Sequence, residues 1–554
     1  MKKIAKDLFL NIILLVFAAF LFALSHPNPV FHNGLALFAY FVFIPLFVLV
    51  RRISFAGSFL WGAVYGALSY LFFSYWLIAY NPVAMPVIAL LYSANFLFVV
   101  PVLKLADMLF KKYGFVVQWV VWIAYEYLKT QGFAGFAYGL IGYTQWTFIP
   151  LIKIASIFGV WAVSAIVVFP SAWLAAGINA GLENDEKFVV GFSKFTKRYL
   201  FLALIWISCF FGSVLFGVFF KRDYSALPTS KIALLQPNTD PWKGGIEIHK
   251  QNLNDLKKMS DKAILENSDL NLIVWPETAF IPRIKWHYKF REHYEAFLLV
   301  KDLLEFIDSK EVPFLIGNDE GVYNSGKTGG NNEIEAGRID YNAAILFEPK
   351  KNVLPPDGET YYKMRLVPFT EHFPFAAIFP RVYEFLKKND THFWNSGTNP
   401  HVFKSVAPSF CVPICFEDTF GYITAGFAKN GACLIVNISN DAWANDVICQ
   451  MQHLSMAVFR AVETGLPMVR SSASGQTCYV NQNGKVVKIL KPFTKDVLIV
   501  DVPVITDYKK TPYIVLGDLL GVVFLITVFG IFVFGVVRFF ILKKEKKLQT
   551  QTKE

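Results

Sequence analysis

Eight long apolar runs constrain this chain more than any other feature. They cover Leu8–Leu24, Leu35–Val50, Phe55–Tyr80, Ala84–Leu103, Phe115–Leu128, Ile154–Ala180, Tyr199–Phe220 and Tyr513–Leu542. Crossing the hydrocarbon core of a bilayer takes about 20 apolar residues as a helix, and all but the fifth run approach that length. The fifth carries Glu126, and extension through Thr130 with Glu126 turned toward other helices or an interface makes it a span as well. The first run follows Met1-Lys2-Lys3 and could be a cleaved signal peptide. It is long for an h-region of about 7–15 residues, so we read it as a retained helix. Charged residues are 17% of the 554 and hydrophobic residues 55%, against about 25% charged in a soluble protein.

Lysine and arginine orient the spans. With the N-terminus in the cytoplasm, Arg51, Arg52, Lys104, Lys111, Lys112, Lys187, Lys194, Lys197 and Arg198 fall in inside loops. So does the tail Lys543-Lys544-Glu545-Lys546-Lys547, while Lys129 and Lys153 are left outside. This follows the positive-inside rule and places everything between the seventh and eighth spans outside. The net charge of +11 is accounted for in this way, and no nucleic-acid motif accompanies it. The expected organisation is a seven-span domain at 1–222, a catalytic domain at 228–505, a C-terminal span at 511–543 and a cytoplasmic basic tail at 544–554.

The outside region alternates strand-like and helix-like runs, which argues α/β layers. Strand signals are Ile232–Leu235, Asn271–Trp275, Phe314–Gly317, Ala343–Phe347, Phe410–Ile414, Leu434–Ile438 and Val497–Val502; Lys257–Glu266 and Val447–Glu463 are helix-like. The polar, Gly/Asn-rich stretch Gly321–Gly337 reads as a loop.

Three short stretches in this region carry chemistry. Ser409-Phe410-Cys411-Val412-Pro413-Ile414-Cys415-Phe416-Glu417-Asp418 sets Cys415 where a strand hands over to a helix, a corner whose N–H donors and a nearby cation favour a thiolate. Leu272-Ile273-Val274-Trp275-Pro276-Glu277 sets Glu277 at the carboxyl edge of a strand, where α/β sheets hold ligands; burial behind Trp275 and Pro276 would suit it to accept a proton near neutrality. Tyr361-Tyr362-Lys363-Met364-Arg365-Leu366-Val367-Pro368-Phe369-Thr370-Glu371 puts Lys363 and Glu371 either side of an apolar run ended by proline. Taken singly, a cysteine, a carboxylate and a lysine are core, cap and surface residues. Together at strand ends they supply a nucleophile, a base and an ammonium stabiliser. Six cysteines occur, at 209, 411, 415, 433, 449 and 478, without CxxC spacing, and Cys411 and Cys415 on one strand would stand roughly 13 Å apart; neither a zinc site nor a disulfide framework is expected.

WPE, then YxKxxLVPFxE, then CxxxCFED resembles the nitrilase, or carbon–nitrogen hydrolase, superfamily. The longer middle motif together with the membrane segments is similar to the apolipoprotein N-acyltransferase family, as are Asn437-Ile438-Ser439-Asn440-Asp441-Ala442-Trp443, Gln452-His453-Leu454, Arg460-Ala461-Val462-Glu463-Thr464-Gly465 and Arg470-Ser471. The chain departs from the family pattern at Ala444-Asn445, where Phe-Gly is usual, at Thr370 for Gly and at Phe416 for Tyr.

The resemblance implies a polytopic α-helical membrane protein of about eight spans with an extracytoplasmic nitrilase-like α-β-β-α sandwich domain. It implies Glu277 as general base, Lys363 as oxyanion stabiliser and Cys415 as nucleophile. It also brings Glu371 and Glu417 into the active site to orient Lys363 and the substrate amine, and puts Trp242 near a substrate-contacting tryptophan. Trp242 equally reads as an interface anchor. His453 reads as a satisfied core histidine, and Arg460 and Glu463 as a helix pair. The aromatic segment Phe373–His401 reads as either a membrane-facing lid or a packed insertion. The implied function is transfer of an acyl chain from a membrane phospholipid, through a cysteine thioester, to the α-amine of an S-diacylglyceryl cysteine at a lipoprotein N-terminus. The enzyme is expected to be a monomer in the bacterial inner membrane, without cofactor, metal or nucleic acid. Two alternatives are a membrane-anchored amidase or nitrilase with water as acceptor, and a transporter or scaffold carrying a degenerate domain.

Overall fold

The computed structural model describes residues 2–80, 82, 84–183, 187–323, 337–373, 375–388 and 393–551. It divides into two units, Met1–Phe220 with Asp518–Glu554, and Lys221–Gly517.

In the first unit, six helices among the described residues are long and apolar enough to cross a membrane: Lys3–Ser25, Phe55–Phe73, Ala84–Phe110, Val160–Leu182, Phe188–Phe219 and Leu519–Ile541. The other two apolar runs yield shorter helices, Ile44–Arg52 of 9 residues and Gly114–Leu128 of 15. Pro45 starts the former after the 3₁₀ turn Phe38–Tyr40, so that run is broken into two short helical pieces. Ion pairs gather the ends of several helices. Arg51 meets Asp107 at 2.8 Å and Glu183 at 2.6 Å, and Arg52 meets Asp7 at 3.0 Å. Helices Phe55–Phe73 and Ala84–Phe110 touch through a Gly-xxx-Gly pair: a Cβ on Gly62 or Gly66 would lie 2.2 Å from Phe96 O or Tyr92 O, an approach that small residues permit.

Glu126 is 1% exposed and does turn inward. The chain after Leu128 is irregular, and in an apolar setting its backbone groups need partners within the protein. Glu126 Oε1 accepts from Ile141 N–H at 3.0 Å, Ser164 Oγ from Gly142 N–H at 3.1 Å, and Lys129 Nζ donates to Tyr138 O at 3.0 Å.

The second unit is built on two sheets. Its strands are β1 Thr229–Gln236, β2 Leu270–Val274, β3 Phe314–Tyr323, β4 Arg338–Phe347, β5 Glu359–Tyr362, β6 Phe410–Cys411, β7 Leu434–Ser439, β8 Met468–Ser472, β9 Cys478–Val480, β10 Val486–Ile489 and β11 Asp496–Pro503. One sheet runs β11-β1-β2-β3-β4-β5 and the other β10-β9-β8-β7-β6. On the first sheet, Ala233, Leu235, Ile273, Trp275, Phe314, Ile316, Ala343 and Ile345 pack on helices Ile246–Glu266 and Tyr294–Asp308 through Leu253, Leu256, Val300 and Leu303. The alternate residues Ile232, Leu234, Leu272, Val274, Leu315 and Ala344 are equally buried, facing the second sheet. Burial of both faces explains why these strands read as unbroken apolar runs. Ser471 Oγ crosses from β8 to donate to Leu235 O at 2.8 Å. Helices Gly421–Lys429 and Val447–Thr464 accompany the second sheet, and the four layers are the α-β-β-α sandwich that the resemblance implied.

Strands β5, β8, β9 and β10 carry no sequence signal of their own, being short or mixed in polarity. β3 runs on through Tyr323 into the stretch expected as a loop, of which 324–336 lie outside the described residues. The Phe373–His401 segment contains a short helix, Pro380–Lys388, with Phe379, Val382 and Phe385 exposed. After it, Trp394 is held by its N–H to Glu371 O at 3.0 Å and its Nε1–H to Asp319 at 2.8 Å.

Candidate active site

Strand direction brings the chemistry to one edge. β2 and β3 are parallel, and two antiparallel steps make β5 run the same way. Glu277 follows β2 and Lys363 follows β5, so both stand at carboxyl ends. In the other sheet β6, β7 and β8 are parallel, and Cys415 and Asn440 follow β6 and β7. The two edges meet where Asn440 N–H donates to Glu277 Oε2 at 2.9 Å.

Glu277 reaches the site by crossing its own sheet. Beyond Val274 the chain passes over β3 at Gly317, where a Cβ would lie 2.3 Å from Pro276 O and 2.7 Å from Glu277 Cα. The carboxylate, 5% exposed, receives Asn342 Nδ2 from β4 at 2.8 Å and Lys363 Nζ at 3.1 Å on Oε1. Trp275 is not part of this enclosure: its ring joins the outer helical core and its Nε1–H donates to Ser260. Lys363 is fully buried and its second carboxylate is Glu371, at 2.7 Å. Burial works against the ammonium, but Glu277 and Glu371 outweigh it and raise the Lys363 pKa above the ordinary lysine value. Lys363 is therefore a fixed cation and not a base. Glu371 also accepts from Val367 N–H at 2.9 Å; burial lifts its carboxyl above the ordinary range, against the pull of Lys363.

Cys415 opens the 3₁₀ turn Cys415–Thr419 with φ +48°, a left-handed conformation that is costly for a side-chain-bearing residue and clusters at functional sites. The residue is half-buried. Burial first, then the Glu277 carboxylate and Asp441, push the thiol well above the usual cysteine range, while Lys363 and the Ser439 hydroxyl pull it back. Burial and the carboxylates thus work against the thiolate that the strand-end corner favours, and Lys363 works for it. Cys411 is wholly buried on β6, its Sγ 3.7 Å from Leu434 O.

Glu417 binds the chain around Lys363. Its carboxylate accepts from Tyr361 Oη at 2.8 Å, Met364 N–H at 2.8 Å, Arg365 N–H at 2.9 Å and Ile414 N–H at 2.8 Å. It clasps the Tyr361 hydroxyl before Lys363 and the two N–H groups after it to the residue before Cys415. Trp242 is 62% exposed on the loop after β1, and the geometry does not assign it to this cluster. Asn342 was not anticipated; a lone amide in the apolar run of β4 was its only signal. Asn440 lay within a quoted motif, but a role played by its backbone N–H leaves no side-chain signature. At Asn445, where glycine is usual, φ is +44°, which asparagine tolerates better than most residues.

A thiol facing a carboxylate that can take its proton and an ammonium that can receive a developing oxyanion, at the joined edges of an α-β-β-α sandwich, defines the carbon–nitrogen hydrolase class. The family description "Carbon-nitrogen hydrolase" matches residues 231–510, and "Apolipoprotein N-acyltransferase N-terminal domain" matches 18–173. The chain is 49% identical to apolipoprotein N-acyltransferase 1 of Treponema denticola over 97% of its own length and 98% of the relative. It is 46% identical to apolipoprotein N-acyltransferase 1 of Treponema pallidum, over 95% of each chain. Among solved structures, Saccharomyces cerevisiae Nit3 aligns with a TM-score of 0.35 and 16% identity, covering 50% of this chain and 90% of that one. The chain belongs to the apolipoprotein N-acyltransferase family. It is an acyltransferase and a membrane protein.

Proposed function

We propose that this acyltransferase moves a fatty acyl chain from a membrane phospholipid to the α-amine of the S-diacylglyceryl cysteine that begins a lipoprotein. Cys415 Sγ attacks the ester carbonyl carbon while Glu277 takes the thiol proton. Lys363 carries the charge of the tetrahedral oxyanion. Collapse breaks the ester C–O bond, the leaving alkoxide takes the proton from Glu277, and a lysophospholipid departs from a Cys415 thioester. The lipoprotein amine then attacks the thioester, Glu277 receives its proton, and the thiol is restored as the C–S bond breaks. Glu371 and Glu417 keep Lys363 in place by the bonds described above.

The observation that carries this reading is the strained start of the turn at Cys415, set electrostatically against both Glu277 and Lys363. Both substrates carry acyl chains whose extraction from lipid costs about 0.8 kcal/mol per CH₂, so the reaction belongs at the bilayer. We place the Lys221–Gly517 unit on the extracytoplasmic side with both chain ends inside; the ion pairs that gather Asp7, Arg51, Arg52, Asp107 and Glu183 support one common cytoplasmic end. Mass spectrometry of a lipoprotein's N-terminal peptide, with the protein present and depleted, tests the function. The N-acyl mass is expected only when the protein is present. Release of free fatty acid with no N-acylated peptide would instead make water the acceptor.

A further inference from the structure

Four buried polar side chains behind Cys415 take no direct step in the reaction proposed above. Asp418 and Arg470 are wholly buried, and Asp441 and His453 are each 1% exposed. His453 lies midway along the helix Val447–Thr464. Its Nε2 is 2.8 Å from Asp418 Oδ1 and its Nδ1 is 2.9 Å from Asp441 Oδ1. Arg470 on β8 closes the group, pairing with Asp418 through Nη1 and standing 3.7 Å from Asp441 Oδ2 through Nη2. Ser439 Oγ donates to Asp441 Oδ1 at 3.3 Å. Both ring nitrogens of His453 therefore have a carboxyl partner.

The two carboxylates belong to the two turns that matter. Asp418 is three residues beyond Cys415 in the same 3₁₀ turn. Asp441 opens the next turn, Asp441–Ala444, directly after Asn440, whose N–H holds Glu277 Oε2. The same helix grips the Cys415 turn a second time, with Arg460 Nη1 donating to Thr419 O at 2.7 Å. A nucleophile held at positive φ needs such external bracing, because its own backbone does not favour the conformation.

The geometry points to His453 as a positioning residue for acyl transfer: one imidazole ties the turn of Cys415 to the turn that anchors Glu277 and so sets the spacing between thiol and carboxylate. This rests on the roles proposed above for Cys415 and Glu277. His453 also gives Asp441 a hydrogen-bond partner. The groups acting on the thiol are Glu277, Lys363, Asp441 and the Ser439 hydroxyl; those facing His453 are Asp418 and Asp441, with Arg470 across them. Removing the imidazole leaves Asp441 with one donor fewer and its charge more strongly felt at the thiol.

The test uses the full chain in phospholipid vesicles without acceptor, reading acyl mass on the Cys415 peptide against time. His453→Gln can reach only one of the two carboxylates. It is expected to slow loading about 10²-fold, the scale of a displacement of about 1 Å at a reacting group. The phospholipid concentration for half-maximal rate should stay unchanged, and the pH–rate profile should move to higher pH. Adding Asp441→Asn to His453→Gln removes the uncompensated charge and should return the pH–rate profile toward the wild type, while loading stays slow because the tie between the turns is still missing. Wild-type loading with an unshifted profile in His453→Gln overturns the inference. So does a loss that follows a lowered melting temperature with no shift in profile, or a double variant that loads at the wild-type rate without the imidazole. Failure of the underlying reading looks different: acyl mass would then persist in Cys415→Ala, whatever occupies position 453.

Discussion

Glu277 and Lys363 share a 3.1 Å hydrogen bond although their strands, β2 and β5, stand three places apart in the sheet. At the usual strand spacing that gap is roughly 14 Å. It is closed because the chain after β2 lies across β3, and only a residue without a Cβ at position 317 leaves room for it. Gly317→Ala should push Pro276 and Glu277 off the sheet edge. A loss of stability of about 1–3 kcal/mol is expected from the overlap, with a far larger proportional loss of Cys415 acylation. Thermal unfolding in detergent, run beside the loading assay, separates the two.

Acyl loading identifies the nucleophile. Incubated with phospholipid and no acceptor, the protein should gain one acyl mass on the Cys415 peptide, removable by neutral hydroxylamine. Cys415→Ala should abolish it. Cys411→Ala should load normally and lose at most some stability, because burial holds the Cys411 thiol far above the range in which it reacts. Acyl mass on Cys411 would defeat the assignment.

Glu277→Gln keeps shape and removes the base. With no carboxylate left there to take the thiol proton, loading should nearly stop at neutral pH. Near-normal thioester formation would move the base to Glu371 or Glu417. Lys363→Arg should also fail: a planar guanidinium does not fit between two carboxylates arranged around a compact ammonium. Normal turnover would mean that positive charge alone suffices.

Glu417 predicts a pH effect on stability. Burial pushes its carboxyl up to about 7, against the N–H groups of Ile414 and Arg365, compared with about 4.3 in an unfolded chain. The folded state therefore holds this proton more tightly. The contribution is complete below about pH 4.3 and is lost as pH rises through about 7. Glu417→Gln should remove that slope, so that melting temperature against pH becomes flatter than in the wild type. At pH about 7 the variant should be less stable by about 1–3 kcal/mol, since its amide N–H must face a backbone N–H it cannot satisfy.

The orientation of the chain is open to labelling. A cysteine placed at Leu265, which is 85% exposed, should react with an impermeant maleimide in spheroplasts, and one placed at Lys547 should not. The reverse pattern would invert the topology.

The amino-acid sequence by itself determined that the chain enters lipid, because repeated apolar runs of about 20 residues match the thickness of a bilayer. It also determined the α/β alternation and the three stretches holding Glu277, Lys363 and Cys415, since a reactive residue beside a proline-terminated or strand-ending run is a local pattern. Tertiary structure decided what joins them. The crossing over Gly317, the anchoring of Glu277 by Asn342 and by the Asn440 backbone, and the clasp of Glu417 are contacts between segments far apart in sequence, several made by main-chain N–H groups that any residue type carries. Tertiary structure also decided that two of the apolar runs form only short helices, and that the irregular chain after Leu128 is satisfied from within, because Glu126, Ser164 and Lys129 partner backbone groups that lipid would leave bare. The state of the Cys415 thiol belongs to the same level: it is the balance of burial and three charges brought from three different strand ends, and no single stretch of sequence contains that sum.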